Sequence, residues 1–131
     1  MLMKISYEQM RILDLNAARY FEDRAAQHIA RIFPERYKQL GQIKTRQLIR
    51  EGIAKAGTYG IKAELPVTLF IDLMVSIDPE FDNLERMQWA RAILEDKKFS
   101  GKSRMNIIYY KLPYKEKEAE LQSAAKEQGA K

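Results

Sequence analysis

PVTLFIDLMVSI, residues 66–77, is the most apolar stretch of the chain, and its conformation decides the fold. Alternate residues from Val67 to Ile77 are apolar, as in a strand, but the stretch fits the three- and four-residue steps of a helix equally well. Twelve residues is long for a strand, and Pro66 suits the start of a helix. We therefore predict a central buried helix, on which Asp72 must face solvent or find a partner.

The N-terminal part of the chain has the pattern of one long amphipathic helix. Apolar side chains recur at steps of three and four from Tyr7 to Ile32, which places them on one stripe. His28 lies in this stripe, and we expect it to be half-buried and hydrogen-bonded to a backbone group or a carboxylate. Pro34 ends the helix, because proline lacks the amide proton and disfavours a helical conformation at Phe33.

Two further helices are predicted before the central one. The first is short, begins at Pro34 and stops at Gly41. The second is expected to have Thr45 as its cap and Gly60 as its left-handed terminating residue. Each glycine inside it weakens the helix by up to about 1 kcal/mol relative to alanine, and indicates a close helix crossing or an early end. These glycines are Gly52 and Gly57.

The last third of the chain is predicted to contain at least one more helix. Asp82 and Glu85 have the spacing of a capping box, so a helix is expected to follow them. Residues 97–103 are predicted to form a loop, and residues 104–112 fit a helix or a strand. Residues 113–131 are nearly all charged or small, which is typical of a frayed polar helix or a disordered end.

These patterns together predict a single all-α domain. It contains about five helices over residues 5–112, followed by a polar C-terminal tail over residues 113–131. A chain of 131 residues with 46% apolar side chains suits one domain with a packed core.

Composition excludes several classes of protein. The absence of cysteine excludes disulfide scaffolds, thiol nucleophiles and cysteine-ligated metals, and a single histidine excludes a multi-histidine zinc site. No apolar run approaches the roughly 20 residues that a bilayer span needs, and the first ten residues lack the apolar stretch of a signal peptide. We expect a cytoplasmic protein that does not associate with membranes.

The positive charge is divided between the two ends of the chain. The net charge is +5 overall, and it is +5, −5 and +5 over residues 1–60, 61–96 and 97–131. A nucleic-acid binder usually gathers its basic residues on one stripe, so a mixed solvated surface is the favoured interpretation. Nucleic-acid binding through the basic ends is the alternative. Its best-placed side chains are Arg11, Arg19, Arg24, Arg31, Arg46 and Arg50.

No motif for catalysis or metal binding is complete. Asp78, Glu80 and Asp82 alternate as in a calcium loop, but Asn83 and Trp89 stand where that loop needs glycine and glutamate. The chain has no nucleophile elbow, P-loop or dinucleotide fingerprint. Catalysis by two carboxylates is left open by composition, but no pair stands out. We predict a protein that is not an enzyme and binds no cofactor and no metal.

Two motifs flank the apolar segment. The first has the pattern GI..A..YGI over residues 52–61, and the second combines FD at residues 81–82 with WA..IL at residues 89–94. Over residues 48–94 the chain thereby resembles small helical proteins encoded beside toxic effectors and spike proteins in bacterial type VI secretion loci. The family usually has a glycine before the FD element, where this chain has Asp78-Pro79-Glu80. The shared residues serve packing and turns, so the resemblance implies a helical fold and carries over no catalytic residue.

The resemblance implies a non-enzymatic accessory factor that binds a protein. It would act as an adaptor, chaperone or immunity protein for a secreted effector toxin or a spike component, by docking through a preformed helical surface. The residues predicted to form that surface are Tyr59, Asp78, Glu80, Tyr109 and Tyr110. The three tyrosines lie beside small or charged residues, which fits a partly exposed interface, although burial in the core is the common outcome for tyrosine. The sequence leaves the oligomeric state open.

Overall fold

The structure, a computed structural model, describes the backbone of residues 7–129 and the side chains of residues 16–126. This part of the chain contains five α-helices and no strand, which confirms the predicted all-α fold. The predicted domain start at residue 5 lies outside it. The helices are α1 (Tyr7–Ile32), α2 (Pro34–Thr58), α3 (Glu64–Ser76), α4 (Gln88–Glu95) and α5 (Gly101–Gly129). Two short 3-10 turns, Phe81–Asn83 and Glu85–Met87, join α3 to α4.

The apolar segment 66–77 lies at the centre of the molecule as a helix, as predicted. Phe70 and Leu73 are completely buried on α3, and the helix packs against α2 at Gly52. A Cβ atom placed on Gly52 would lie 2.5 Å from Cγ1 of Ile71, which is closer than side chains approach one another. Gly52 is therefore the site of a close helix crossing.

Helix α2 consists of two helical segments that are joined by a kink at Gly41. This glycine has φ 78° and ψ 168°, which are not helical, so the two predicted helices meet there without a linker. The prediction that Thr45 caps the second of them is wrong, because the helix resumes directly after Gly41. Thr45 is fully buried inside α2, and its hydroxyl has no hydrogen-bond partner among the described residues. Gly60, with φ 77°, follows the end of α2 as predicted.

The predicted capping box before α4 is also wrong. Asp82 is only 3% exposed and its carboxylate points into the molecule, so it caps no helix. The chain enters α4 through the two 3-10 turns, in which Leu84 and Met87 donate backbone hydrogen bonds to Phe81 and Leu84 respectively. The spacing of Asp82 and Glu85 matched a cap, but the partners of Asp82 are distant in sequence.

Helix α5 begins earlier and ends later than the sequence indicated. The predicted loop over residues 97–103 is cut short at Ser100, whose hydroxyl accepts a hydrogen bond from the backbone N–H of Ser103 at 3.1 Å. Residues 104–112 are helical, and Met105 and Ile108 from this segment are fully buried. The helix passes through Pro113 and continues to Gly129. The tail is thus helical as far as that residue.

Candidate protein-binding surface

Three polar side chains form a buried turn cluster between α2 and the first 3-10 turn, and they are Lys55, Tyr59 and Asp82. The Tyr59 hydroxyl donates to Oδ2 of Asp82 at 2.6 Å, and Nζ of Lys55 donates to Oδ1 of the same carboxylate at 2.6 Å. Burial and the contact with Asp82 raise the pKa of Tyr59. Burial alone would raise the pKa of Asp82, but the hydrogen bonds from Lys55 and Tyr59 hold it below its usual value. Tyr59 is 9% exposed, so of the two outcomes considered for this tyrosine, burial in the core is the one observed.

Asp78 and Glu80 form the edge of the same cluster. Oδ1 of Asp78 accepts the backbone N–H of Glu80 at 2.8 Å, which shapes the turn. Oε2 of Glu80 accepts from Nδ2 of Asn83 at 2.7 Å and lies 3.2 Å from Nζ of Lys55. Glu80 is exposed, but its carboxylate already has partners. The turn over residues 78–83 is therefore internally hydrogen-bonded, and Lys55 pairs with two of its three carboxylates, Glu80 and Asp82.

Arg104 closes the cluster from α5, and sequence reasoning missed it. The side chain is 4% exposed, and its Nη1 donates to the backbone carbonyls of Tyr59 at 2.8 Å and Leu94 at 2.6 Å. These carbonyls lie at the ends of α2 and α4, where helices leave carbonyl groups unpaired. One cation thus joins three helices. No sequence signal distinguishes Arg104 from the other basic residues near it.

Tyr109 and Tyr110 are adjacent in sequence and face in different directions. The Tyr109 hydroxyl donates to the carbonyl of Leu69 at 2.7 Å, and burial, with a smaller contribution from Asp72, raises the pKa of Tyr109. Tyr110 is 73% exposed, and its ring centroid lies 5.9 Å from that of Tyr114. Of the five residues predicted for the binding surface, Tyr110 is the one whose aromatic ring is freely accessible.

His28 and Asp72 link α1 to α3. Nε2 of His28 lies 2.9 Å from Oδ2 of Asp72, which confirms the expected carboxylate partner of the histidine and provides the partner that Asp72 required. Burial raises the pKa of Asp72, and the hydrogen bond to His28 partly offsets this. The nearby Thr68 hydroxyl donates to the carbonyl of Glu64 in its own helix. The His28–Asp72 pair thus joins α1 to α3, and the Thr68 hydroxyl is bonded within its own helix.

The arginines of α1 and α2 are largely engaged with carboxylates. Arg46 donates to Glu22 at 2.8 Å and to Asp23 at 2.7 Å, and Arg50 also binds Glu22. The hydrogen bond from Arg50, together with that from Arg46, holds the pKa of Glu22 below its usual value despite burial. Arg24 pairs with Glu64 of α3. Three of the six arginines considered for nucleic-acid binding therefore join helices, and the side chain of Arg11 lies outside the described residues.

An apolar groove opens to solvent between α1, α2 and the start of α3. Its volume is about 200 Å³, which is large enough for one or two apolar side chains of a partner. Phe21 and Val67 contribute its floor, and the small exposed side chains of Ala17 and Ala18 form one wall. The full lining consists of Ala17, Ala18, Phe21, Ile53, Lys62, Glu64 and Val67. The groove has two ionisable side chains. Lys62 belongs to the α2–α3 connection, and Glu64 belongs to the first turn of α3.

Within residues whose side chains the structure describes, no group of three or more metal-ligating acidic or histidine side chains is found. In the same part of the chain, no helix has the length and apolar character to cross a membrane. Comparison with known proteins finds no matching family model, no matching curated protein and no matching solved structure.

Proposed function

We propose that this chain is a non-enzymatic protein-binding accessory factor. The observation that carries the proposal is the open groove lined by Phe21, Ile53 and Val67, an apolar depression on a preformed helical surface. An apolar side chain of a partner gains roughly 1.5–3 kcal/mol when it is fully buried, so a groove of this size suits an anchoring residue of a protein partner. Among the described residues that line the groove, the ionisable side chains are Lys62 and Glu64, which do not make up a set of acid, base and nucleophile.

The partner class comes from the resemblance of residues 48–94 to type VI secretion accessory proteins. On that basis the partner is an effector toxin or a spike component, and the chain acts as its adaptor, chaperone or immunity protein. The engagement of Arg24, Arg46 and Arg50 by carboxylates supports a protein partner in preference to nucleic acid, since those guanidinium groups already have anionic partners.

The test fills the groove without disturbing the core. Ala18 is exposed on α1, so Ala18→Trp should leave the fold intact and occupy the groove with an indole ring. Affinity capture from the native host with the wild-type chain should recover an effector or spike component, and Ala18→Trp should reduce its recovery about tenfold or more. Ala92→Trp, at an exposed position on α4, is the matched control and should capture the partner normally.

Two results would contradict the proposal. One is a capture experiment in the native host that recovers neither an effector nor a spike component. The other is equal recovery by wild type and Ala18→Trp, which would show that the groove is not the docking surface. A low-salt gel-shift assay with DNA and RNA completes the test, because a salt-sensitive shift would favour the nucleic-acid alternative instead.

A further inference from the structure

Helix α5 has apolar side chains on two opposite sides. Met105, Ile108 and Leu112 face the core, and successive residues of a helix are rotated by about 100°. This rotation places a second row of side chains on the side away from the core, which we name the outer face of α5. It consists of Tyr110, Tyr114, Lys117 and Leu121. Its three apolar members are 73%, 67% and 63% exposed, in chain order.

The spacing along the outer face is that of a short coiled-coil seam. The steps from Tyr110 to Tyr114, Lys117 and Leu121 are four, three and four residues, which keeps the row on one side of a helix that pairs with another. We propose that α5 pairs with α5 of a second copy of this chain, in antiparallel orientation, through the outer face. The two-fold axis would pass between Lys115 and Glu116.

This arrangement gives every residue of the row a suitable neighbour. Tyr110 meets Leu121 of the second copy, and Tyr114 meets Lys117 of the second copy. The first contact buries an aromatic ring against an aliphatic side chain, and the second places an ammonium group against an aromatic ring, which is an attractive cation–π contact. Burying a lysine in an apolar row costs free energy when its charge has no partner. In the antiparallel pair the ring of Tyr114 provides that partner, so Lys117 stabilises the contact.

The charges beside the row select the second copy and the orientation. Lys111 and Glu118 lie seven residues apart on the same edge of the helix, and antiparallel pairing brings each against the other residue of the second copy. A parallel pair would instead place Lys117 of one copy against Lys117 of the other. Glu118 has a contact of 3.5 Å with Lys115 of its own chain, but both side chains are exposed and such pairs are weak.

The area available predicts a reversible dimer. Each fully buried aromatic side chain covers roughly 150–250 Å², so the four partly exposed tyrosines of a pair supply less than about 1,000 Å², and the interface lies near or below the lower end of the specific range, about 1,200 Å². The core face of α5 stays on its own bundle, so the two bundles would lie on opposite sides of the paired helices. The groove of α1 to α3 receives no residue from α5, and the dimer is thus independent of the proposed function.

Mass measurement over a range of concentrations tests the pairing. By analytical ultracentrifugation, the wild-type chain should move from 15.3 kDa toward twice that mass as its concentration rises. Leu121→Glu should abolish the increase and leave the helix content and melting temperature of the monomer unchanged, because Leu121 is exposed. Ile43→Glu, at a 76% exposed position on α2, is the matched control and should dimerise like wild type.

Charge exchange tests the orientation. Lys111→Glu leaves only acidic residues at the two paired positions, and Glu118→Lys leaves only basic ones, so each variant alone should dimerise about tenfold or more weakly than wild type. An equimolar mixture of the two variants should recover the dimer, since every contact is then between opposite charges. A wild-type chain that stays monomeric throughout, or a mixture no better than its components, would overturn the proposal. The proposal would also be overturned if the wild-type chain stayed monomeric and bound a different protein, and Leu121→Glu abolished that binding.

Discussion

The buried turn cluster of Lys55, Tyr59, Asp82 and Arg104 and the outer face of α5 are built from similar residues. Both combine tyrosine with lysine. In the cluster, Tyr59 is 9% exposed and its hydroxyl is bonded to Asp82, whereas on the outer face Tyr110 is 73% exposed and stacks near Tyr114. Residue type does not separate the two regions. What separates them is whether a segment distant in sequence, here the 3-10 turn Phe81–Asn83, contacts the side chains.

Removing the carboxylate charge of the buried turn cluster should have the largest effect on stability. Asp82→Asn leaves Lys55 and Tyr59 without the anion they share, and should lower the free energy of unfolding by on the order of 3 kcal/mol at pH 7. Urea unfolding monitored by circular dichroism measures this. Glu80→Gln, at the exposed edge, is the control and should cost less than about 0.5 kcal/mol.

The same carboxylate predicts a pH dependence. The pKa of Asp82 is lower in the folded chain than in the unfolded chain, so its contribution is complete above the unfolded value of about 3.9 and is lost as the pH falls through the folded value. Wild type and Asp82→Asn should therefore converge in stability in acid. An equal difference at pH 7 and at a pH below the folded value would show that the contribution of Asp82 is not electrostatic.

Two glycines of α2 should respond to alanine with opposite signs. A Cβ atom at Gly52 meets Cγ1 of Ile71 at 2.5 Å and Sδ of Met74 at 3.0 Å, so Gly52→Ala should destabilise by about 1–3 kcal/mol. A Cβ atom at Gly57 meets nothing within 4 Å, so Gly57→Ala should stabilise by about 0.5–1 kcal/mol through helix propensity. Thermal melts of both variants decide the matter, and effects of the same sign would contradict the close crossing of α2 and α3.

Removing single tyrosine hydroxyls should give a graded series. Tyr59→Phe loses a buried hydrogen bond to a carboxylate and should cost about 1.5–3 kcal/mol, and Tyr109→Phe loses a bond to a carbonyl and should cost about 0.5–1.5 kcal/mol. Tyr110→Phe should change the free energy of unfolding by less than about 0.5 kcal/mol. Denaturant titrations of the three variants give the order, and a large loss at Tyr110 would remove the distinction between the two regions.

A small effect is expected at Asp72. Burial raises the pKa of Asp72 in the folded chain, so folding favours the protonated carboxyl group. The resulting contribution to the free energy of unfolding is present below the unfolded pKa of about 3.9 and is lost as the pH rises through the folded pKa. Asp72→Asn removes the buried charge at pH 7 and keeps an oxygen for His28, so it should be neutral or stabilising by up to about 1 kcal/mol. A loss of more than about 2 kcal/mol in urea unfolding would show that the ionised pair is essential.

Local patterns predicted the helices well because each depends on neighbouring residues. The spacing of apolar residues identified α1 and α3, and Gly60 marked the end of α2, whereas Gly41, predicted to stop a helix, is a kink within α2. The candidate site was predicted poorly because burial depends on contacts between distant segments. Asp82 has a local capping pattern, yet its partners are 23 and 27 residues away, and Arg104 bonds to a carbonyl 45 residues away. The groove similarly joins residues of three helices.

Arg104 also affects how the molecule comes apart. Because it holds the carbonyl groups of Tyr59 and Leu94, detaching the first turns of α5 would break both hydrogen bonds and expose the core that Met105 and Ile108 cover. Hydrogen exchange of the amides around Met105 and Ile108 should therefore require opening of the whole bundle. Residues 117–126 carry only exposed side chains, so their amides should exchange through local opening of that end of the helix. Arg104 thus makes the first half of α5 part of the cooperative unit of folding, while the second half of α5 can open independently of the bundle.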